Sequence, residues 1–167
     1  MNIFVLDQDP VKAAEYLCDR HIIKMLLEST QLLCTVHRLG GSIDTKLYKA
    51  THIKHPCVVW LCESSSNYNW LVKHLLAMDE QYRLRYNKEH KSFTELYNVV
   101  KSPPAWLKDI GLTKFALAMP EVYKKDDPVL SYRLYYVCVK LKICTWKHPA
   151  VEPTWIRELI TNLHLYL

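Results

Sequence analysis

The sequence predicts a mainly α, single-domain protein, a helical bundle with at most one short strand. Three observations carry this. Apolar residues recur at helical spacing in two long runs of the amino-terminal half, between about 10 and 38 and between about 57 and 86. Only three glycines occur in 167 residues, where average usage would supply roughly a dozen, which argues against a chain of many tight β-turns. The dipeptide Asp-Pro stands at 9–10 and again at 127–128, a capping residue followed by proline at a first helical position.

Taken in order, Ile3-Phe4-Val5-Leu6 is a short apolar run that reads as one strand or an extended arm. Asp9-Pro10 opens a helix expected to run unbroken to about Arg38, where Gly40-Gly41 stops it. Residues 42–55 read as a surface loop. Pro56 opens a second long helix through about Tyr86, with Ser64-Ser65-Ser66 as a local weak point. A shorter helix is expected over Ser92 to Val100, stopped by Ser102-Pro103-Pro104. The proline-bearing stretch 102–127 reads as an irregular wrap. Asp127-Pro128 then starts a helix to about Cys144, and Pro153 a last amphipathic one. No repeat or linker divides the chain, so residues 1–167 form one domain.

The formal net charge is +5, from 22 basic and 17 acidic side chains, and suits an anionic partner such as nucleic acid or a nucleotide. With glycines only at 40, 41 and 111, neither GxGxxG nor GxxxxGK[ST] can be written, which excludes nucleotide sites built on those motifs. The six cysteines form no CxxC pair and sit among apolar residues, as free thiols do. No stretch free of Asp, Glu, Lys and Arg exceeds nine residues, far short of a membrane span. MNIFVLDQDP has no basic region and meets Asp7 at once, unlike a secretory signal. An intracellular protein with reduced thiols is expected.

The most informative segment is HIIKMLLESTQLLCTV, residues 21–36, apolar on most faces and therefore a core helix. Within it His21, Lys24, Glu28, Gln31 and Thr35 recur at steps of 3, 4, 3 and 4, one narrow row. Ionisable groups among apolar neighbours must be paired or face a wet cleft. The row therefore reads either as the lining of a pocket or as a solvated face bearing one ordinary Lys24–Glu28 ion pair. As a pocket it offers a base or nucleophile in Lys24, a carboxylate in Glu28, a proton shuttle in His21 and an amide reader in Gln31.

Other candidates are weaker. Cys18-x-x-His21 and His52-x-x-His55-x-Cys57 match no established zinc signature, so no metal and no cofactor is expected. His55, just before a helix start, can swing into an adjacent cleft or stay at the surface. Trp60, Glu63, Asn67, Trp70 and His74 share a helix face, either as core or, through Asn67 and Trp70, as a site for a planar ligand. From Pro128 to Val151 there is no acidic residue, and Arg133, Lys140, Lys142 and Lys147 interleave with Tyr132, Tyr135, Tyr136 and Trp146. That mixture suits phosphate contacts and base stacking, with Arg133, Tyr136, Lys140 and Trp146 as the substrate-binding candidates. Tyrosines inward and lysines outward is the alternative.

The pattern FVLDxDPxxAAxxLCDRHxxKMxLExxQLL, followed by HP before a tryptophan-rich helix, SYRxYY and TWK, resembles a family of short proteins from phages and large DNA viruses without a settled function. That resemblance implies a viral protein of the host cytoplasm, nucleus, viral factory or virion, and groups His21, Lys24, Glu28 and Gln31 as a unit. A more distant resemblance is to the pyrimidine-dimer DNA glycosylases of phages and algal viruses, small, helical and basic enzymes that use an amino-terminal α-amine and a helix-borne glutamate. It implies that Glu28 takes the glutamate's place, with Arg20 or Lys24 as a nearby cation. It also implies that the α-amine of Met1, or Lys24, attacks the sugar. Where those enzymes present a small residue after methionine removal, this chain has Asn2.

Three functions follow as expectations. The first is an enzyme acting on a nucleobase or its glycosidic bond in DNA, with His21, Lys24 and Glu28 catalytic. The second is a non-catalytic nucleic-acid-binding or virion protein, and the third an enzyme of nucleotides or other small molecules using the same row.

Overall fold

The computed structural model describes residues 2–166. Among them the regular elements are all helical: α1 (Pro10–Tyr16), α2 (Asp19–Leu39), α3 (Pro56–Glu63), α4 (Ser65–Tyr86), α5 (Lys91–Val100), α6 (Pro128–Tyr135) and α7 (Thr154–Thr161). The mainly α expectation is met, and Ile3–Leu6 is a buried extended arm rather than a strand.

The caps fall where the sequence placed them. Asp9 accepts the Val11 N–H at 2.8 Å and Asp127 accepts the Val129 N–H at 2.9 Å. Gly40 ends α2, and a Cβ there would collide with the Trp106 indole, so that close approach requires glycine. Arg38, in the last turn of α2, donates to the carbonyls of Ser42, Leu47 and Tyr48 and so holds the loop that follows.

Both long helices predicted for the amino-terminal half are broken in two, for tertiary reasons. The first breaks at Leu17 and Cys18, which are extended and fully buried. The carbonyls freed there are taken by a buried arginine from α4. Arg85 Nη1 donates to Leu17 O at 2.8 Å and to Asp19 Oδ1 at 3.3 Å, while Nη2 donates to Glu15 O and Gln81 Oε1.

The second breaks at Ser64, a full interruption rather than a weak point. Ser64 is extended and caps α4 by accepting the Ser66 N–H. Its hydroxyl also accepts the Ile110 N–H and donates to Asp109, and Ser66 donates to the same carboxylate at 2.6 Å. These hydrogen bonds hold Asp109 below the usual carboxylate range. The wrap is thereby riveted to the α3–α4 junction.

α2 and α4 run through the middle of the molecule, with α1 and α3 against α4 and α5 against α2. The helix expected from Pro128 to about Cys144 is α-helical only to Tyr135. It continues as one π-helical turn, Tyr136–Lys140, and a 3-10 turn, Leu141–Ile143. Single π turns recur at functional sites.

His74 on α4 is fully buried and donates from Nδ1 to Pro10 O at 2.8 Å, leaving Nε2 without a partner. Burial pushes this imidazole down from 6.5 to about 4. Between those values the unfolded chain binds a proton that the folded chain refuses, so stability falls as pH falls from about 6.5 to about 4. The loss expected from His74 by pH 4 is about 3 kcal/mol. His37 and His90 are shifted in the same direction by burial and add to it. Urea unfolding across this range checks the slope, and an NMR titration in which the His74 ring protons shift with a midpoint near 6.5 contradicts the assignment.

Candidate active site at the amino-terminal end of α2

The row predicted from the sequence meets the arm and the π turn at one cleft of about 220 Å³. Asn2, Phe4, His21, Lys24, Met25, Glu28, Ala118, Tyr135 and Lys140 line it. Larger cavities lie elsewhere: two of about 350 Å³ and 400 Å³ with mainly apolar linings, and one of about 290 Å³ bounded by Pro10, Ser66, Asn69, Trp70, Lys73 and Leu112, which holds no carboxylate or histidine. Four strictly separate segments therefore build the site: the arm, the first three turns of α2, the wrap and the π turn.

The arm is bent into place at Phe4, which takes a left-handed φ of 51°, a conformation disfavoured for a bulky side chain. Its ring stacks on His21, centroids 4.7 Å apart, and packs edge-on against Tyr136. Asn2 is anchored by donation from Nδ2 to Ala118 O at 2.8 Å.

Lys24 Nζ lies 3.5 Å from Glu28 Oε1, one helical turn apart. The lysine side chain is 66% exposed and the glutamate 15%, so the pair faces solvent through the cleft rather than being sealed in the core. Lys140 stands over the Tyr135 ring at 5.0 Å and adds a second cation at the rim. One side of the site is thus a carboxylate flanked by two ammonium groups, an arrangement that attracts phosphate while keeping an acid–base group at hand.

His21 is 5% exposed and is held from behind. The Tyr136 hydroxyl accepts the Cys18 backbone N–H at 2.9 Å and lies in hydrogen-bond contact with His21 Nδ1 at 2.7 Å. Cys18 Sγ lies 3.4 Å from the same Nδ1. The Cys18 thiol is pushed down chiefly by its hydrogen bond from Cys144, with His21 and Tyr136 adding, and Cys144 is pushed up correspondingly.

The remaining candidates separate. Gln31 continues the row, half-buried, but does not line the cleft. Tyr136 is fully buried, so it positions His21 instead of stacking on a base. Arg133 donates from Nε to Leu6 O at 2.9 Å, lies 3.5 Å from Asp7 and covers Trp155 at 4.8 Å. Its guanidinium thus holds the arm and packs on α7, while the side chain stays a quarter exposed at a separate cavity. Trp146 donates to Tyr16 O. Asn67 is buried, with its amide donating to Trp60 O and Thr113 Oγ1 and accepting from Thr113 N, and Trp70 donates to Gln8 O. That face of α4 is core, and it pins the wrap. His55 caps α3 by accepting the Cys57 N–H and lies at another cavity.

Sequence reasoning missed Asn2, Phe4, Ala118 and Tyr135 at the cleft. Nothing in a linear pattern signals that residues 2 and 118 meet. Met1, whose α-amine the glycosylase resemblance nominates, lies outside the described residues.

A family model described as pyrimidine dimer DNA glycosylase matches residues 1–94, more than half of the chain. The chain belongs to the pyrimidine dimer DNA glycosylase family. No curated protein and no solved structure matches it. The family match contains the arm and the whole of α2, and so Asn2, Phe4, His21, Lys24 and Glu28. Lys140 and Ala118, which close the cleft, come from beyond it.

Proposed function

We propose that this chain is a DNA glycosylase acting at pyrimidine dimers, with the Glu28 cleft as its active site. The observation that carries the reading is that the family-matching segment supplies six of the nine residues lining the cleft, Glu28, Lys24 and His21 among them. In this reading an amine attacks the sugar C1′ and the C1′–N bond to the base breaks. The base takes the bonding pair, is protonated by water and stays tethered to its neighbour through the cyclobutane ring. Glu28 takes up the proton released by the attacking nitrogen and returns it to O4′ as the C1′–O4′ bond opens, leaving an iminium between protein and sugar. The carboxylate also stabilises positive charge developing at C1′.

Two amines are candidates, Lys24 Nζ and the α-amine. Lys24 Nζ is engaged in an ion pair with the Glu28 carboxylate at 3.5 Å. An α-amine, with an ordinary pKa of about 7.7–8.0 against about 10.4 for lysine, has the larger neutral fraction at neutral pH. The cleft is small beside the roughly 300–1,000 Å³ of drug-sized pockets, so it receives the sugar at the dimer or a single unlinked base rather than the two joined bases. Lys24 and Lys140 then contact flanking phosphates.

The test is a duplex bearing one cyclobutane pyrimidine dimer on a labelled strand. Breakage of the glycosidic bond, read as base released once light has reversed the cyclobutane link that tethers it to its neighbour, and cleavage of the damaged strand at the dimer are expected, with an undamaged duplex untouched. Intact strands together with steeply salt-dependent binding that survives Glu28→Gln would instead support a non-catalytic nucleic-acid-binding protein.

A further inference from the structure

We propose that Cys18, His21 and Cys144 form a metal site for a zinc-type divalent cation at the back of the cleft, sharing His21 with it. The Sγ atoms of the two cysteines and a ring nitrogen of His21 all lie within 4.8 Å of one another. Tetrahedral zinc, with Zn–S near 2.3 Å and Zn–N near 2.0–2.1 Å, asks for S···N separations of about 3.6 Å and S···S of about 3.8 Å. The Cys18 Sγ to His21 Nδ1 separation of 3.4 Å is already close to that requirement.

The three ligands come from two segments far apart in sequence, Cys18 and His21 at the start of α2 and Cys144 near the carboxy-terminal end, and the frame that unites them is made by other groups. Asp19 N–H donates to Thr145 O at 2.9 Å, and the Asp19 carboxylate accepts from Thr145 Oγ1 at 2.9 Å and from Lys147 N–H at 3.0 Å. Residues 144–147 are thus docked on the start of α2 whether or not an ion is present, so binding needs little rearrangement. Cys144 is half-buried, which gives an ion a way in, while Cys18 is sealed.

The chemistry of the donors selects the ion. Two thiolates and a neutral imidazole suit zinc, and their charges cancel those of a divalent cation, so the buried complex carries no net charge. The Tyr136 hydroxyl, now 2.7 Å from His21 Nδ1, turns to donate to a thiolate, and water fills the fourth position. Two ligands lie inside the family-matching residues 1–94 and the third outside them, so the ion clamps the carboxy-terminal segment to α2.

Cobalt(II) is the probe, titrated into the full-length, reduced, chelator-stripped protein. One equivalent is expected to produce thiolate-to-cobalt charge-transfer absorption and strong tetrahedral d–d bands, both bleached by zinc. Cys144→Ser and Cys18→Ser should each weaken cobalt binding more than tenfold and reduce the charge-transfer intensity, with circular dichroism confirming that each variant is folded. Cys138→Ser, at an exposed cysteine outside the cluster, should leave both unchanged. Absence of charge-transfer absorption in the wild-type protein, or an unaltered spectrum in folded Cys144→Ser, overturns the site. So does a Cys18–Cys144 disulfide that, once reduced, yields no cobalt binding.

Discussion

Glu28→Gln is expected to lower the rate of glycosidic-bond breakage in a dimer-bearing duplex by about 10²–10⁴-fold, the range associated with a positioned acid–base group. The same substitution should change stability by no more than about 1 kcal/mol. The reason is geometric: Lys24, 3.5 Å away, is two-thirds exposed, and exposed ion pairs contribute little because water screens them. Glutamine preserves the shape of the side chain and removes only its charge and basicity. The two readouts separate a catalytic carboxylate from a structural one. A buried structural pair would lose roughly 3–5 kcal/mol on such a change. A large fall in melting temperature with bond breakage intact would therefore remove Glu28 from the mechanism.

Arg85→Met is expected to give the largest loss of stability, about 3–5 kcal/mol. The guanidinium is fully buried and joins four groups: the carbonyls of Glu15 and Leu17, the Asp19 carboxylate and Gln81. Methionine fills a similar volume but leaves the carbonyls at the α1–α2 break without a donor and Asp19 without its cation. Asp19 is also the group that holds Thr145 and Lys147, so the carboxy-terminal segment should loosen with it. A fall in melting temperature on the order of 10 °C corresponds to a loss of this size in a chain of this length. A variant within about 1 kcal/mol of wild type in urea unfolding would show that the network contributes little.

The features legible in the sequence were those written in local chemistry. Asp9-Pro10, Asp127-Pro128 and Gly40 mark helix ends because capping depends on adjacent residues alone. The row His21, Lys24, Glu28 was legible because a 3–4 spacing fixes one face of a helix, and these three do line one cleft. The breaks at Leu17–Cys18 and Ser64 were not legible as breaks. They rest on Arg85 and on the Asp109–Thr113 segment, partners tens of residues away. The same holds for Arg133, Asn67 and Tyr136. Their residue types fit a nucleic-acid surface, but they make hydrogen bonds within the fold to Leu6, Thr113 and His21, and only the fold reveals it. Gln31 shares the stripe yet misses the cleft, because the opening covers only the first three turns of α2.

The central claim, covalent chemistry at the Glu28 cleft, is tested most directly by borohydride trapping on a duplex carrying one pyrimidine dimer, followed by mass mapping of the cross-linked peptide. The account expects a stable protein–DNA adduct with wild-type protein, attached either at Lys24 or at the amino-terminal peptide, and its loss with Glu28→Gln. An adduct on a lysine remote from the cleft, or undiminished trapping by Glu28→Gln, would contradict it.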